Sequence, residues 1–594
     1  MANTKGMGYK LELHRIGTVW FFRIAIVAAT LLCQPTTFAQ TPGITVANGT
    51  ASLSWPLTAY YYLLQSTTNL AGSNSWFNIA TATPISSAYW FIIPGENPPV
   101  GTVPIIKNIV GNNFVITQST ANAQQFFRLK APVIPIFSFA IFYDGVLEFT
   151  QSGTMVINGC VHANGPICTG TSASLTFNDT VTTTGTITSP TRDGVTPTAL
   201  NENTAFNGQP PYVTNVPAFL SPFGIKPLDG TKTNHPHALI EIPPANEDPN
   251  SSLGQFRLYN QAQVLLMVTN LFVPGLHVTP QVTFTIQQSI LGALPGADPS
   301  KTVYTYIWTN SIFTNLSLAI WANEPHGIEN FLSLTNTFTD KREYQTNLFV
   351  TQIDVLGYSN WLGTNGFNTT KLGSGDAPTI LYVADQRNVW TNKLAVVRLV
   401  NGNSLPNNGG LGWTVATQNP LYIKGNYNIT QDGIHFATQP NQTTNSGTWV
   451  PAALLCDAIT ILSSAWNDST SSNTFATASG IAGTGTSTAT NTVNAAVITG
   501  NVPSTGTTAT NCSGGVHNLM RLQEDWTGVS LVLNSSIVVL WSSQMATNQF
   551  RNPVGWSPAP INPYYDPPTR LWGLDPNFYN PAKLPPGTPV CTLP

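Results

Sequence analysis

The chain has 594 residues, of which 42% are hydrophobic and only 8% are charged, and its net charge is −3. Soluble proteins usually carry about 25% charged residues, so the polar surface must be built mainly from Thr, Ser, Asn and Gln, which suit β-strands and turns better than helices. This balance argues against nucleic acid as a partner, and no basic run is long enough to hold an anionic membrane. The length predicts roughly three or four domains.

The N-terminus has the pattern of a secretory signal peptide. A basic leader precedes an apolar run from Ile24 to Cys33, and Thr37 and Ala39 place small residues at the two positions that a signal peptidase inspects. We predict a signal peptide over residues 1–39 and an exported protein at the cell surface, in the outer envelope or outside the cell. The alternative is an uncleaved anchor over residues 16–32, which is short for a bilayer and contains Arg23.

Residues 42–131 predict a β-sandwich, because short strand-like runs alternate with turn signals. The runs carry Ser54–Pro56, Tyr62–Leu70, Trp76 and Phe126–Leu129. This string resembles the fibronectin type III-like modules of exported bacterial proteins, and the resemblance implies a spacer or adhesion module. The aromatic residues of the module are expected in its core, with sugar stacking as the alternative; they are Trp55, Trp76 and Phe127.

After a linker at 131–135, the chain contains an internal repeat. Residues 155–167 match residues 175–187 at a constant offset of 20, with apolar, Asn and Gly positions in phase. This pattern predicts neighbouring coils of a parallel β-solenoid over residues 137–200, with like side chains stacked inward. Two hairpins of an antiparallel sheet are the alternative. The matched pairs are Met155/Leu175, Ile157/Phe177, Asn158/Asn178, Val161/Val181, Gly165/Gly185 and Ile167/Ile187.

The rest of the body is predicted in three parts. Residues 201–390 are predicted as an α+β insertion or cap. The five-residue pattern of Ile157–Val161 returns at Ile423–Tyr427, Ile498–Val502 and, more weakly, Leu533–Ile537, so residues 391–545 predict a second solenoid segment. That segment would hold a flexible Ser/Thr-rich loop at 467–495 and a helix at 452–463. Residues 546–594 are predicted as an extended Pro-rich tail.

Several longer strings extend over most of residues 137–590. They are Phe139–Glu148, Ile157–Asn164, Asp340–Glu343, Asn419–Asn428, Gly514–Asn518, Pro568–Phe578 and Leu584–Pro589. In these strings the chain resembles a family of uncharacterised exported bacterial proteins, some labelled PilX-like pilus-assembly proteins. It is more loosely similar to the polymer-forming β-solenoids of bacterial scaffolds. The resemblance implies a role in the envelope and assigns no activity.

Acidic residues supply the weak catalytic candidates. Asp144 and Glu148 are four residues apart, and on a strand they would share a face as a glycosidase-like carboxylate pair. Gly145 after Asp144 favours a turn instead. Asp340, with Arg342 and Glu343, forms the densest charge cluster of the chain. This cluster predicts either a polysaccharide-lyase-like cleft or mutual pairing on the surface.

Histidines supply the weak metal candidates. His235 and His237 would place both rings on one face of a strand, near Glu241, but a third ligand is not evident. His162 lies in the repeat opposite Thr182, and this mismatch favours a solvent-facing position over a site of fixed geometry. We predict no cofactor, since no nucleotide or phosphate fingerprint is found.

Cysteine usage fits export. Cys160 and Cys168 lie eight residues apart and are the candidate disulfide, because an exported protein meets an oxidising environment. After removal of the leader the cysteine count is odd, which leaves at least one thiol unpaired within the chain.

Two functions of different classes follow. The first is a non-enzymatic cell-surface or envelope protein in adhesion, architecture or pilus-linked assembly. Its partners would be surface components, polysaccharide among them, and further copies joined through the open edges of solenoid ends. The second is a carbohydrate-active β-helix enzyme, a polysaccharide lyase or glycosidase, which needs Asp144, Glu148 and Asp340 in one groove.

Overall fold

The structure is a computed structural model, and it is mainly β with extensive parallel sheets. Thr37 and Ala39, at the expected signal-peptide cleavage site, lie outside the described residues. Within the described residues no helix is both long and apolar enough to cross a bilayer. The described residues are 11–16, 19–24, 42–47, 50–67, 77–78, 81–86, 89–92, 105–119, 126–130, 133–149, 153–170, 174–188, 204–220, 236–271, 279–286, 302–309, 312–315, 327–364, 378–390, 393–406, 409–429, 449–472, 478, 481–482, 489–504, 515–548 and 567–593.

The N-terminal strands pair mostly antiparallel. They are β1 Leu11–Ile16, β2 Val19–Ile24, β3 Gly43–Ala47, β4 Thr50–Pro56, β5 Leu63–Thr67, β6 Phe77–Asn78, β7 Thr81–Ser86, β8 Tyr89–Ile92, β9 Ile105–Ile106, β10 Asn108–Val110, β11 Asn113–Ser119 and β12 Phe126–Lys130.

From residue 42 onward these strands form three sheets, ordered β10-β11-β4-β3, β12-β5-β6 and β8-β7-β9. Alternate residues of β4 are buried, as expected for a strand with one face in a core. Trp55 is 2% exposed and packs near Phe114, which confirms the predicted core position. Phe127 is half-buried against the same core, and Trp76 lies outside the described residues.

The repeat region contains short strands. They are β13 Val133–Pro135, β14 Ile141–Tyr143, β15 Leu147–Glu148, β16 Met155–Ile157, β17 Val161–Ala163, β18 Ile167–Cys168, β19 Leu175–Phe177, β20 Val181–Thr183, β21 Ile187–Thr188, β22 Thr204–Phe206 and β23 Tyr212–Val213.

The register predicted from the repeat is confirmed. β16 pairs parallel with β19, β17 with β20 and β18 with β21, and each residue lies beside its counterpart 20 positions later. Val161 and Val181 are fully buried, so like side chains pack on like. Matched Asn residues form a ladder at one corner: Asn178 Nδ2 donates to Asn158 Oδ1 at 2.7 Å, and Asn207 Nδ2 donates to Asn178 Oδ1 at 3.0 Å. Asn207, which follows β22, adds a third Asn to the two that were matched in the sequence.

The remaining elements complete the body. They are α1 Leu258–Gln261, β24 Val264–Leu271, β25 Thr279–Ile286, β26 Thr302–Thr309, β27 Ile312–Asn315, β28 Leu332–Ser333, β29 Phe349–Asp354, α2 Val355–Thr364, β30 Ile380–Asp385, β31 Ala395–Val400, β32 Trp413–Thr417, β33 Leu421–Lys424, β34 Ala452–Cys456, β35 Ile459–Leu462, β36 Ile481–Ala482, β37 Ala489–Asn494, β38 Ala496–Asn501, α3 Val516–Leu519, β39 Met520–Leu522, β40 Val529–Asn534, β41 Ile537–Ser542, β42 Thr569–Gly573 and β43 Val590–Thr592.

The largest sheet of the described residues has 13 strands in the order β23-β20-β17-β14-β41-β38-β34-β32-β30-β24-β25-β26-β27. Every pairing from β23 to β24 is parallel. The later part of the chain, from β24 to β41, advances along the sheet toward β14, and the earlier part continues from β14 to β23 in the same direction. Two chain segments therefore form one continuous stack that meets where β14 pairs with β41.

Further parallel strands flank this sheet. A six-stranded sheet runs β28-β29-β31-β33-β35-β39 and is parallel from β29 onward. Its inward column is apolar and at most 1% exposed. Its outward column is polar or aromatic, and this column carries the sites described below. The inward residues are Ile353, Leu399, Ile423, Ile461 and Leu522; the outward ones are Gln352, Arg398, Tyr422, Thr460 and Arg521.

Several elements differ from the sequence-based predictions. The helix predicted at 452–463 is wrong, because this stretch forms strands β34 and β35; nearly all of its residues are buried, which removes the periodicity that distinguishes strand from helix. Residues 201–390, predicted as an α+β insertion or cap, supply β24, β29 and β30 to the parallel sheets. In the predicted tail, β42 pairs with β40, and β43 pairs antiparallel with β13.

The N-terminal sheets pack against the parallel stack through two tyrosines. The Tyr61 hydroxyl and the Thr182 hydroxyl are 2.6 Å apart and share a hydrogen bond. The Tyr61 ring also meets Phe139 and Phe219 edge-on. Both tyrosines, Tyr60 and Tyr61, are 1% exposed, so this contact is part of the core.

Candidate functional site

The charge cluster at 340–343 is buried, which corrects both predictions made for it. Asp340 is 0% exposed, Arg342 2% and Glu343 4%, so the cluster neither pairs on the surface nor lines a cleft. Its loop covers the outer face of the six-stranded sheet, where Phe338 packs on Tyr422.

Asp340 is held by donors from three parts of the chain. The backbone N–H groups of Arg342 and Glu343 donate to its Oδ1 at 2.7 and 3.0 Å. Gln523 Nε2 donates to the same oxygen at 2.8 Å, and the Tyr422 hydroxyl donates to Oδ2. With its oxygens satisfied in this way, Asp340 anchors the loop to the sheet.

Glu343 forms a buried ion pair with Arg521. Arg521 Nη1 donates to Glu343 Oε1, and Nη2 donates to the Ala546 carbonyl at 2.6 Å. Burial raises the pKa of Glu343 to about 7, although the charge of Arg521 opposes the rise. The pair ties the loop to β39 and to the segment after β41.

His237 lies between two carboxylates. Its Nδ1 is 2.7 Å from Glu241 Oε1, and its Nε2 is 3.2 Å from Asp457 Oδ1. Burial disfavours the charged imidazole, but the hydrogen bonds to Asp457 and Glu241 outweigh burial and raise the pKa of His237. His235, its predicted co-ligand, lies outside the described residues. Within the described ranges no group of three His, Cys, Asp or Glu side chains is placed to hold a metal ion.

Asp144 and Glu148, two of the weak catalytic candidates, line one cavity of about 240 Å³, together with Ser504, Arg521 and Trp541. Asp144 lies in the turn between β14 and β15, where Gly145 has φ 141°. Glu148 lies on β15. Asp144 therefore lies in a turn, as its Gly145 neighbour favours, and both residues line this cavity, whereas Asp340 does not.

The two carboxyl groups of this cavity have different surroundings. Burial raises the pKa of Asp144 to about 6, against the opposing hydrogen bond from Asn164 Nδ2 at 2.8 Å. The Ser504 hydroxyl lies 3.0 and 3.2 Å from the two oxygens of Glu148. A carboxyl with a pKa near 6 can serve as a general acid.

The predicted disulfide is not formed in the structure, where Cys160 and Cys168 are both free and buried. Cys160 directly precedes β17, and burial raises the pKa of its thiol. Cys168 is on β18, which belongs to a different sheet. The two thiols therefore lie in different parts of the fold.

His162 is 0% exposed, so the predicted solvent-facing position is wrong. Its Nδ1 is 2.9 Å from the Thr182 hydroxyl and its Nε2 is 3.0 Å from Asn164 Oδ1. Phe219 and Tyr61 cover the His162 ring. Tyr61 belongs to the N-terminal part of the chain. Burial lowers the pKa of His162 to about 4.

This lowered pKa predicts acid sensitivity. The unfolded chain binds a proton on His162 below about pH 6.5, whereas the folded protein binds it only below about pH 4. Stability is therefore lost as the pH falls between these values, by up to about 3 kcal/mol. We expect the His162→Gln variant to lack this loss of stability at low pH. The measurement is the unfolding free energy of the variant and of the wild type as a function of pH, and the difference between them.

His237→Gln is the matched control for that experiment. Because the pKa of His237 is raised, its stabilising contribution is present at low pH and is lost as the pH rises through the folded pKa. The two variants should therefore change the pH slope in opposite directions. Equal slopes for wild type and His162→Gln would contradict a neutral, buried His162.

A second and larger depression, of about 570 Å³, lies on the outer face of the six-stranded sheet. We call it the outer groove. Sequence reasoning missed it, because its residues come from separate strands and turns; the Asn-rich turns at 401–403 and 426–428 were the available signal. It is lined by Asn336, Gln352, Arg398, Val400, Asn401, Asn403, Lys424, Gly425, Asn426, Ser464, Trp466, Asn467 and Asp468.

Arg398 forms the floor of the outer groove and is 3% exposed. Its Nη1 and Nη2 donate to the two oxygens of Asp468 at 2.6 and 2.8 Å, and its Nε donates to Gln352 Oε1 at 3.0 Å. The guanidinium also lies 5.3 Å from the Phe338 ring centroid. Arg398 is thus fixed in one orientation.

Comparison with known proteins gives no relative on which to place these sites. No family model, no curated protein and no solved structure matches the chain.

Proposed function

We propose that the chain is an exported, non-enzymatic structural protein of the cell surface or envelope, with a β-solenoid body and a fibronectin type III-like module at its N-terminus. Its role would be adhesion or envelope architecture, with pilus-linked assembly as one setting. The observation that carries the proposal is the continuous parallel stack from β24 to β23, which gives the body a long, repetitive framework.

The positions of buried charged side chains support a structural role. Ionisable groups on the outer sheet face are used to fasten loops, as Asp340 and the Glu343–Arg521 pair do. Such buried networks fix one arrangement of the chain, because each partner left alone would be a costly unpaired charge.

The pairing of β43 also supports it. β43 near the C-terminus pairs with β13, which lies between the N-terminal sheets and the stack. Leu220 joins the same strand by backbone hydrogen bonds to Thr592 at 2.8 Å in each direction. These backbone hydrogen bonds connect the segment that follows the proposed spacer module to the stack. A surface protein that joins a spacer to a rigid body needs such a connection.

Protease shaving of intact cells of the native host tests the proposal. With an epitope tag after Pro594, we expect protease added outside the cells to remove the tagged protein while a cytoplasmic marker survives. Protection equal to that of the cytoplasmic marker, with digestion only after lysis, would contradict a surface location.

The cavity beside Asp144 and Glu148 favours a second candidate, a carbohydrate-active enzyme. Two carboxyl groups in one cavity, one with a pKa near 6, are the groups that glycoside hydrolysis uses. Polysaccharide cleavage by the wild type that is lost in both Asp144→Asn and Glu148→Gln, with folding retained, would establish it. Cleavage that survives both substitutions would exclude this cavity as its site.

A further inference from the structure

The outer groove has a lining rich in side-chain amides. Asn and Gln side chains are contributed by the loop before β29, by β29 itself, by the turns after β31 and β33, and by the loop after β35. A carboxamide has both a donor and an acceptor, a combination that matches the neighbouring hydroxyls of a sugar. Five of the six amides already use one of these two groups within the protein, which leaves the other for a ligand. The amides are those of Asn336, Gln352, Asn401, Asn403, Asn426 and Asn467.

The groove also carries a positive charge that the described residues compensate only in part. Arg398 and Asp468 neutralise each other through their two short hydrogen bonds. Lys424, which is half-buried, has no carboxylate of the described residues within salt-bridge distance. Burial raises the pKa of Glu524 to about 7, although the nearby Lys424 ammonium opposes the rise. The Glu524 carboxyl is therefore only partly ionised at neutral pH and offsets only part of the Lys424 charge.

The single tryptophan of the groove acts as a wall. Trp466 is 6% exposed, and its indole N–H donates to Asp468 Oδ1 at 2.8 Å. It therefore offers no broad face on which bases could stack, as single-stranded nucleic acid would need. Hydroxyl recognition by amides, combined with one cation, instead favours a hydroxyl-rich anion.

We propose that the outer groove binds an acidic oligosaccharide, in which Lys424 meets a sugar carboxylate and the surrounding amides meet the hydroxyls. A carboxylate beside an ammonium gives a charge-assisted hydrogen bond, which is stronger than a neutral one. The rigid Arg398–Asp468 pair shapes the floor, and Arg398 holds the Gln352 amide in place. This site deepens the proposed adhesive function and takes its biological setting from it.

Calorimetric titration of the purified full chain with an oligogalacturonate tests the site. We expect binding that weakens with added salt, and little binding of a neutral oligogalactoside of equal length or of free galacturonate. Lys424→Gln should weaken oligogalacturonate binding about tenfold, the loss of one charge-assisted contact. Asn403→Ala, which removes an exposed amide, should weaken it several-fold.

Lys393→Gln is the matched control. Lys393 is exposed at the start of the strand that carries Arg398, but it does not line the groove. This variant should bind as the wild type does. Absence of binding, equal affinity for the neutral oligosaccharide, or unchanged affinity in Lys424→Gln would each overturn the site. Since binding is measured on purified protein and location on cells, failure of this inference and failure of the proposed surface function are separate results.

Discussion

Replacement of Val181 with Asp is expected to destabilise the protein by about 4 kcal/mol or more, an effect in the range of the largest single substitutions. Val181 is 0% exposed and is paired in register with Val161 on one side and Tyr212 on the other. A carboxylate at this position has no partner and no water, so the folded state pays its desolvation. Urea unfolding, or loss of soluble protein, measures the effect.

Val156→Asp is the matched control in the same repeat. Val156 is 39% exposed and points away from the core on β16. Its substitution should change stability by less than about 0.5 kcal/mol, as surface changes usually do. A Val181→Asp variant as stable as Val156→Asp would contradict an inward position for Val181.

Replacement of Arg521 with Met is expected to cost about 3–5 kcal/mol at about pH 8, the usual cost of leaving one partner of a buried ion pair alone. Glu343 would keep only the Asn548 backbone N–H, which donates to it at 3.2 Å. Because the pKa of Glu343 is already raised to about 7 and would rise further, the carboxyl becomes neutral as the pH falls. The loss of stability should therefore shrink toward about pH 5.5.

Glu343→Gln in the Arg521→Met background provides the control. The second substitution removes the uncompensated charge, so the double variant should recover much of the lost stability at about pH 8 and show a weaker pH dependence. The unfolding free energies of the wild type, the two single variants and the double variant, measured at about pH 8 and about pH 5.5, form a double-mutant cycle. Additive losses, with no recovery, would show that Arg521 does not act through Glu343.

The repeat was predictable because its signal is local. The matched apolar and Asn residues of residues 155–187 lie at one fixed offset, and parallel in-register pairing is the arrangement that buries each apolar residue on its counterpart. The Asn158–Asn178 hydrogen bond shows that the polar part of the match is used as well.

The order of the stack was not predictable in this way. β14 pairs with β41, which is distant in the chain, and nothing in the local pattern of Ile141–Tyr143 specifies that neighbour. Strands buried on both faces, such as β34, also lose the alternation that marks a strand.

The sites were predictable only in part. Asp144 and Glu148 are close in sequence, and they do line one cavity. The burial of His162 depends on Tyr61 and Phe219, and the burial of Glu343 depends on Arg521, all of which are contributed by other segments. Partners of this kind can be recognised only once the fold brings them together.

Disulfide cross-linking of Val156→Cys with Thr176→Cys tests the in-register parallel stack most directly. These residues are Cα partners on β16 and β19, and the free cysteines of the described chain are all buried. Under mild oxidation, peptide mapping should find the 156–176 disulfide in most molecules, and Val156→Cys with exposed Thr186→Cys should give almost none. Absence of the 156–176 cross-link, or equal yields from the two pairs, would contradict the stack on which the proposed solenoid rests.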